Sequence, residues 1–227
     1  MSGMVQLSLD PQVAGLVRLG LVAGAPIAVA GSGVQLQERI RATCARLVAE
    51  HAGREPGAIE GLVPARQLYK SCGVDPTRTR PSSEALLRRA LAGKPFPAIS
   101  NAVDLCNLCA VEFLLPIGLY DADRIEGSAT LRRGAAGESY PGIRKDQVNL
   151  EGRLALYDAA GPFGNPTSDS LRTCVTPQTR SLFMVIFAPA GYPAARMEAH
   201  AQSAASLMQQ LLGPPGGAIA TSTQVLP

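Results

Sequence analysis

Residues 101–121 read Asn101-Ala-Val103-Asp104-Leu-Cys106-Asn107-Leu-Cys109-Ala-Val111-Glu-Phe-Leu114-Leu115-Pro116-Ile-Gly118-Leu-Tyr120-Asp121. The change of pattern at Pro116 decides the fold class. Before it, apolar residues recur at helical spacing, and Asn101 to Leu115 predicts a helix. Helices are also predicted upstream at Val34–Glu50 and Pro64–Cys72, the second ended by Gly73. A third starts at a Ser82 or Ser83 cap, carries Glu84 in its first turn, and stops at Gly93 and Pro95. Downstream of Pro116, short strands are expected at 129–133, 138–144, 153–159 and 181–188, with Gly161-Pro-Phe-Gly164-Asn-Pro166 as the sharpest loop.

At the amino end, 4–9 alternates as an edge strand does. Leu16–Val22 and Pro26–Val29 read as two strands joined near Gly24, and Gly31-Ser-Gly33 reads as a turn. A final helix is expected over Ala194–Leu212, followed by a loosely ordered tail at 213–227. Helices followed by a run of strands, without strict alternation, indicate an α+β fold. No repeat or linker divides residues 1–227, so one domain is expected.

The chain has 227 residues, 46% hydrophobic and 17% charged, which suits a sizeable core. No apolar run reaches the roughly 18 residues of a membrane span. Asp10 precedes the apolar stretch Leu19–Val29, and no basic region leads into it, so a cytoplasmic protein without membrane contact is expected. The net charge of +3 is too mild to demand a nucleic-acid partner. Its basic set is mostly Arg, as a GC-rich genome or phosphate recognition would each produce. Five cysteines without regular spacing give no disulfide framework, and Cys106 and Cys109 read as small apolar fillers on a helix face. No metal or cofactor site is expected, and the sequence sets no oligomeric state.

Three groups could carry chemistry. Arg78, Arg80, Arg88 and Arg89 crowd the start of the third helix, near the Ser83 amide. They could meet phosphate, or they could pair with Asp75, Glu84 and Asp104. Asn101, Asp104 and Asn107 recur every three residues and share one helical face. They either bind neighbouring loop backbone or line a polar pocket. Glu138, Asp146, Glu151, Asp158 and Asp169 supply the acids from which a general base would come, although turn acids are more often turn formers. Thr173, Thr176 and Thr179 could orient water or a substrate amine, or cap the next strand.

The order Arg66-x-x-Tyr69, Gly73-x-Asp75-Pro76, Arg80-Pro81-Ser82-Ser83-Glu84, Asn101-x-Val103-Asp104-x-x-Asn107, Pro116-x-Gly118-x-Tyr120-Asp121, Arg132 and Gly137-Glu138 resembles the B3/B4 domain family. That module belongs to the beta subunit of bacterial phenylalanyl-tRNA synthetase and also occurs freestanding; this chain is more similar to the freestanding form. The resemblance implies a three-layer β/β/α fold with a pocket where its halves meet. In the synthetase, that module hydrolyses the ester of mischarged aminoacyl-tRNA. Carried over, it implies that Asn101, Asp104, Asn107 and Glu138 do chemistry on an aminoacylated tRNA 3′ end. Arg78, Arg80, Ser83, Gly118, Arg132 and Thr176 would then bind substrate. Gly118 stands where the synthetase motif has His, and the Glu of its later Gly-rich loop has no clear equivalent in Gly164-Asn-Pro-Thr-Ser-Asp169. The resemblance leaves two readings: a deacylase acting in trans, or a non-catalytic module that binds tRNA or an amino acid.

Overall fold

The computed structural model describes residues 5–143 and 145–227; positions 4 and 144, the outer ends of two expected strands, lie outside the described residues. In chain order the elements are β1 (Leu7–Leu9), β2 (Val17–Ala25), α1 (Val34–Glu50), α2 (Val63–Ser71), α3 (Ser82–Leu91) and α4 (Asn101–Phe113). Then come β3 (Ile117–Asp121), β4 (Ala129–Arg133), β5 (Ser139–Gly142), β6 (Lys145–Asn149), β7 (Leu154–Asp158), β8 (Gly161–Asn165) and β9 (Ser168–Asp169). The chain closes with β10 (Leu182–Pro189), α5 (Ala194–Leu211) and β11 (Ala220–Leu226).

The strands form an outer sheet, β1-β4-β7-β8-β9, a middle sheet, β11-β2-β10-β3, and the hairpin β5-β6. Strand β10 shows why the layers stack. Its run Leu182-Phe-Met-Val-Ile-Phe-Ala188 is buried throughout, as a strand covered on both faces must be. Leu182, Met184, Ile186 and Ala188 enter a core with α1, α4 and α5. Phe183, Val185 and Phe187 enter a second core with Leu131, Leu154, Leu156 and Phe163 of the outer sheet. Each such side chain contributes about 1.5–3 kcal/mol by leaving water. The result is an α+β fold in three layers, β/β/α, as the family resemblance implied. A third cluster joins α1, α3 and α4 through Leu47, Leu86, Leu87 and Val111.

Four local expectations differ from the structure. Of the two predicted strands around Gly24, the first is β2, which runs on through Gly24 to Ala25, and residues 26–29 form no strand. The glycines of β2 are a packing requirement: a Cβ at Gly20 would lie 2.6 Å from the Met197 sulfur, and one at Gly24 would lie 3.2 Å from the Met208 sulfur, both on α5. The predicted loop at Gly161–Pro166 is largely strand β8, paired with β7. The end of the chain is β11, paired antiparallel with β2 from Ala220 to Leu226. Helix α3 has no side-chain cap, because Ser83 points into the core and the Glu84 carboxylate is taken by arginines.

The two sheets meet along β3, the edge strand of the middle sheet. The Tyr120 ring lies over Gly118, two residues earlier on the same face. It also lies against Gly164 of β8 and meets Phe163 edge-on at 5.1 Å. A Cβ at Gly118 would sit 2.1 Å from the Tyr120 hydroxyl oxygen, and one at Gly164 would sit 2.3 Å from it. Gly118→Ala is therefore expected to destabilise the fold by about 1–3 kcal/mol, the usual cost of overpacking. Combined with Tyr120→Val, which has its own cost, the loss should be smaller than the sum of the two single losses, because the two changes share one contact. Denaturant melts of the two single variants and the double variant test this, and additive losses would place the cost of alanine elsewhere.

Candidate functional site

The Asn/Asp face of α4 is spent mainly on backbone. Asn101 Oδ1 accepts from the Ala30 and Ala102 amides at 2.9 Å, and its Nδ2 donates to the Ala28 carbonyl at 2.8 Å. Asp104 accepts from the Ile99 amide at 2.9 Å and from the Ser32 hydroxyl at 2.5 Å. Both side chains are buried, and they clamp the first turn of α4 to the loop after β2. The helix cap is Ser100, whose hydroxyl accepts from the Val103 amide. Of the three, only the side chain of Asn107, half-buried, makes no hydrogen bond among the described residues.

Glu138 belongs to a different face, on the outer sheet. Arg132 grips its carboxylate with two bonds of 2.7 and 3.0 Å, the Tyr157 hydroxyl donates at 2.6 Å, and the Ala135 amide at 2.7 Å. The Arg132 bonds, then those from Tyr157 and Ala135, hold its pKa down at about 2. A carboxylate so stabilised stays ionised at neutral pH and is a weak base. The Arg132 guanidinium also stacks on Tyr157, 3.4 Å from the ring centre. Thr176 closes a turn: its amide donates to Thr179 Oγ1, and its hydroxyl accepts from the Gln178 amide. Thr179 in turn donates to Asp121 at 2.6 Å.

Arg78 is 89% exposed and lies 3.8 Å from Asp75, while Arg80 lies 3.5 Å from Glu84. Ser83 is fully buried, and its hydroxyl has no partner among the described residues. The sequence-predicted site residues thus occupy separate places. Asn101, Asp104 and Asn107 lie along α4, Glu138 and Arg132 lie on the outer sheet, and Arg80 with Ser83 lies at the start of α3.

A convergence of elements does exist, at Asp169. Strand β9 lies beside the free edge of β3. There the Asp169 carboxylate accepts from the Leu119 amide, and the Asp121 amide donates to the Thr173 carbonyl at 2.9 Å. The Tyr120 hydroxyl lies close to the same carboxylate, outside well-aligned hydrogen-bond geometry. Cys106 of α4, Tyr69 of α2 and Tyr140 of β5 stand near enough for the carboxylate charge to push their pKa values up, adding to the effect of burial. The carboxyl is enclosed by protein, while part of the residue still meets solvent. Among the described residues no cation pairs with it. Burial therefore raises its pKa from 3.8 to about 7, against the smaller downward pull of Tyr120 and Leu119.

The loop before Asp169 is locked. Asn165 Oδ1 accepts from the Thr167 amide, the Thr167 hydroxyl and the Ser168 amide. The Tyr69 hydroxyl donates to the Pro166 carbonyl at 2.7 Å, and the Tyr140 hydroxyl donates to that of Ser168. Sequence reasoning included Asp169 among the acids but ranked it with turn formers. The available signal was its place after Gly164-Asn165-Pro166, an Asx turn that fixes the next three residues. Burial without a cation, the decisive property, leaves no mark in the sequence.

Among the described residues no group of three or more His, Cys, Asp or Glu could hold a metal ion, and no helix is long and apolar enough to cross a membrane. Cys106 and Cys109 are free thiols buried on α4.

Comparison with known proteins adds three findings. A family model described as the B3/4 domain matches residues 64–212, well over half of the chain. The phenylalanine–tRNA ligase beta subunit of Streptomyces avermitilis is 33% identical over 93 residues, a match that spans 40% of this chain and 11% of that protein. A crystal structure of an N-terminal fragment of the phenylalanyl-tRNA synthetase beta subunit from Pyrococcus horikoshii aligns with a TM-score of 0.45 at 14% identity. That alignment covers 96% of this chain and 51% of the fragment.

The Asp169 environment has a thermodynamic signature. Its carboxyl titrates higher in the fold than in the unfolded chain, so the protonated form favours folding. That stabilisation is complete below about pH 3.8 and is lost as pH rises through about 7. Asp169→Asn, neutral at every pH, is expected to raise Tm most at pH 8, less at pH 5, and to change it little below about pH 4. Thermal melts at pH 8, 5 and 4 read this directly, and equal shifts at all three would mean that the carboxyl ionises freely in the fold.

Proposed function

Because the chain belongs to the B3/4 domain family, we propose that it acts on the aminoacyl ester of a charged tRNA, hydrolysing it in trans with Asp169 as general base. One observation carries this reading: an unpaired carboxyl, held near neutrality by burial, at the point where α2, α4, β3 and β5 converge. Strongly perturbed carboxyls with no structural counterion concentrate at functional sites.

The chemistry asked of the site is modest, because an aminoacyl ester is already activated. The Asp169 carboxylate takes a proton from water, whose oxygen bonds to the ester carbonyl carbon. Collapse of the tetrahedral intermediate breaks the bond to the ribose oxygen, which leaves with the proton held by Asp169. Fixed donors and an oriented water supply most of the barrier reduction in such a reaction. A second observation favours binding without hydrolysis: the Tyr120 ring fills the space over Gly118, leaving little room beside Asp169 in the free protein.

The test incubates purified protein with a panel of misacylated tRNAs and follows release of the amino acid above a buffer blank at each pH. The expected rate rises with pH up to about 7 and then levels, since the base form of Asp169 dominates above its pKa. Asp169→Asn should lower that rate by about 10²–10⁴, the usual contribution of general-base catalysis. Glu138→Gln should leave the pH profile in place. If no tRNA in the panel is deacylated by the native protein, hydrolysis is rejected. Saturable binding of the same tRNAs would then support the binding reading.

A further inference from the structure

A second site lies between α2 and α3. A cavity of about 240 Å³ is lined there by Arg66, Lys70, Arg80, Glu84 and Arg88, with Pro76 and Thr77 at its rim. Four cationic side chains against one carboxylate leave an excess of three positive charges (4 − 1 = 3). No tyrosine, cysteine or second acid lines it.

The carboxylate is the organiser. Glu84 is 1% exposed. Arg66 grips it side-on, with Nε to Oε2 and Nη2 to Oε1 both at 2.7 Å, and Arg88 Nε donates to Oε1 at 2.9 Å. Burial alone would push its pKa up, but the bonds from Arg66 and Arg88 prevail and hold it below the ordinary carboxylate value. Its acceptors are thus committed to two guanidinium groups, and Arg80 approaches only to 3.5 Å. The spacing comes from the sequence. Arg66 and Lys70 are one turn apart on α2, Glu84 and Arg88 one turn apart on α3, so both pairs turn toward the same gap.

Donors remain unspent. The Nη groups of Arg88 and the ammonium of Lys70 have no acceptor among the described residues. Arg80 has only its long contact to Glu84. Guanidinium forks already fixed by a buried carboxylate lose little entropy when they take a second acceptor. A tetrahedral oxyanion presents several acceptors at once and matches such forks. The cavity is below the roughly 300–1,000 Å³ of clefts for drug-sized ligands, which suits one charged group better than a whole cofactor.

We infer that Arg66, Lys70, Arg80 and Arg88, ordered around Glu84, form a binding site for a phosphate group. Arg66 and Arg88 are the fixed walls, and Lys70 and Arg80 close on the ligand. The site shares no lining residue with the Asp169 seam and stands whether or not the chain hydrolyses esters. The phosphate could come from an RNA backbone or from a small phosphorylated molecule; both present the same oxygens.

The experiment titrates inorganic phosphate into the full chain at constant ionic strength, following the Arg Nε–H resonances and the heat of binding. The native protein should show one saturable site. Lys70→Ala/Arg80→Ala should bind at least ten-fold more weakly with its Tm unchanged, since neither residue anchors Glu84 tightly. Arg41→Ala, on the exposed face of α1, serves as the charge control and should bind as the native protein does. A short RNA hairpin is then added as competitor. Displacement of phosphate by it assigns the ligand to an RNA backbone, and uptake of phosphate without displacement assigns it to a small phosphorylated molecule; both outcomes support the site. The inference is overturned if the native protein shows no saturable phosphate site, or if the double variant binds as tightly as the native chain.

Discussion

Burial of the middle sheet on both faces is the constraint that shapes the whole molecule. Strand β10 sends alternate side chains into two separate cores, one with the helices and one with the outer sheet. A sheet in that position cannot leave its edge to water. Its last strand, β3, needs acceptors for the amides that point away from β10, because an unpaired buried N–H costs about as much as a lost hydrogen bond. The Thr173 carbonyl serves Asp121, and the Asp169 carboxylate serves Leu119. The acid most suited to proton transfer is therefore also part of the seam that joins the two sheets.

The seam is tight because two glycines make it so. Gly118 and Gly164 leave space for a single phenol ring, and Tyr120 fills it. Two further tyrosines hold the backbone on either side of Thr167, through the Pro166 and Ser168 carbonyls. Each of the three combines a large apolar body with one polar end, as a junction between an apolar core and a polar loop requires. Rigidity at Asp169 thus comes from helix α2, hairpin β5-β6 and the middle sheet together.

Three carboxylates show how environment sorts one chemical group into different roles. Glu138 lies near the surface and is held at about 2 by Arg132, Tyr157 and a backbone amide. Glu84 is buried, but two arginines offset the cost of burial and keep it charged. Asp169 is enclosed and has no cation, so burial prevails and its pKa reaches about 7. Removing a charge from water is expensive unless a partner compensates, and the presence or absence of that partner decides the outcome. Glu138 and Glu84 remain fixed charges, one bracing an arginine on the outer sheet and the other arranging a basic pocket. Asp169 can exchange a proton.

Much of the architecture is legible along the chain. The periodicities of Val34–Glu50 and Ala194–Leu211 set α1 and α5, the seven-residue apolar run sets β10, and the break at Pro116 separates helices from strands. The motif order from Arg66 to Glu138 carries the family. Such features are local, since they depend on spacing within one element. The glycines of β2 and β8 looked like breaks because glycine weakens an isolated strand. In the fold they admit methionines from α5 and the ring of Tyr120, neighbours distant in sequence. The polar face Asn101, Asp104 and Asn107 is equally visible in sequence, yet only tertiary contacts with residues 28–32 commit its first two members to backbone. For Glu138 and Asp169 the sequence offers two acids after turns and nothing to rank them. Their difference is the number of cations within reach and the depth of enclosure, and both are set only when β4, β7 and β9 take their places.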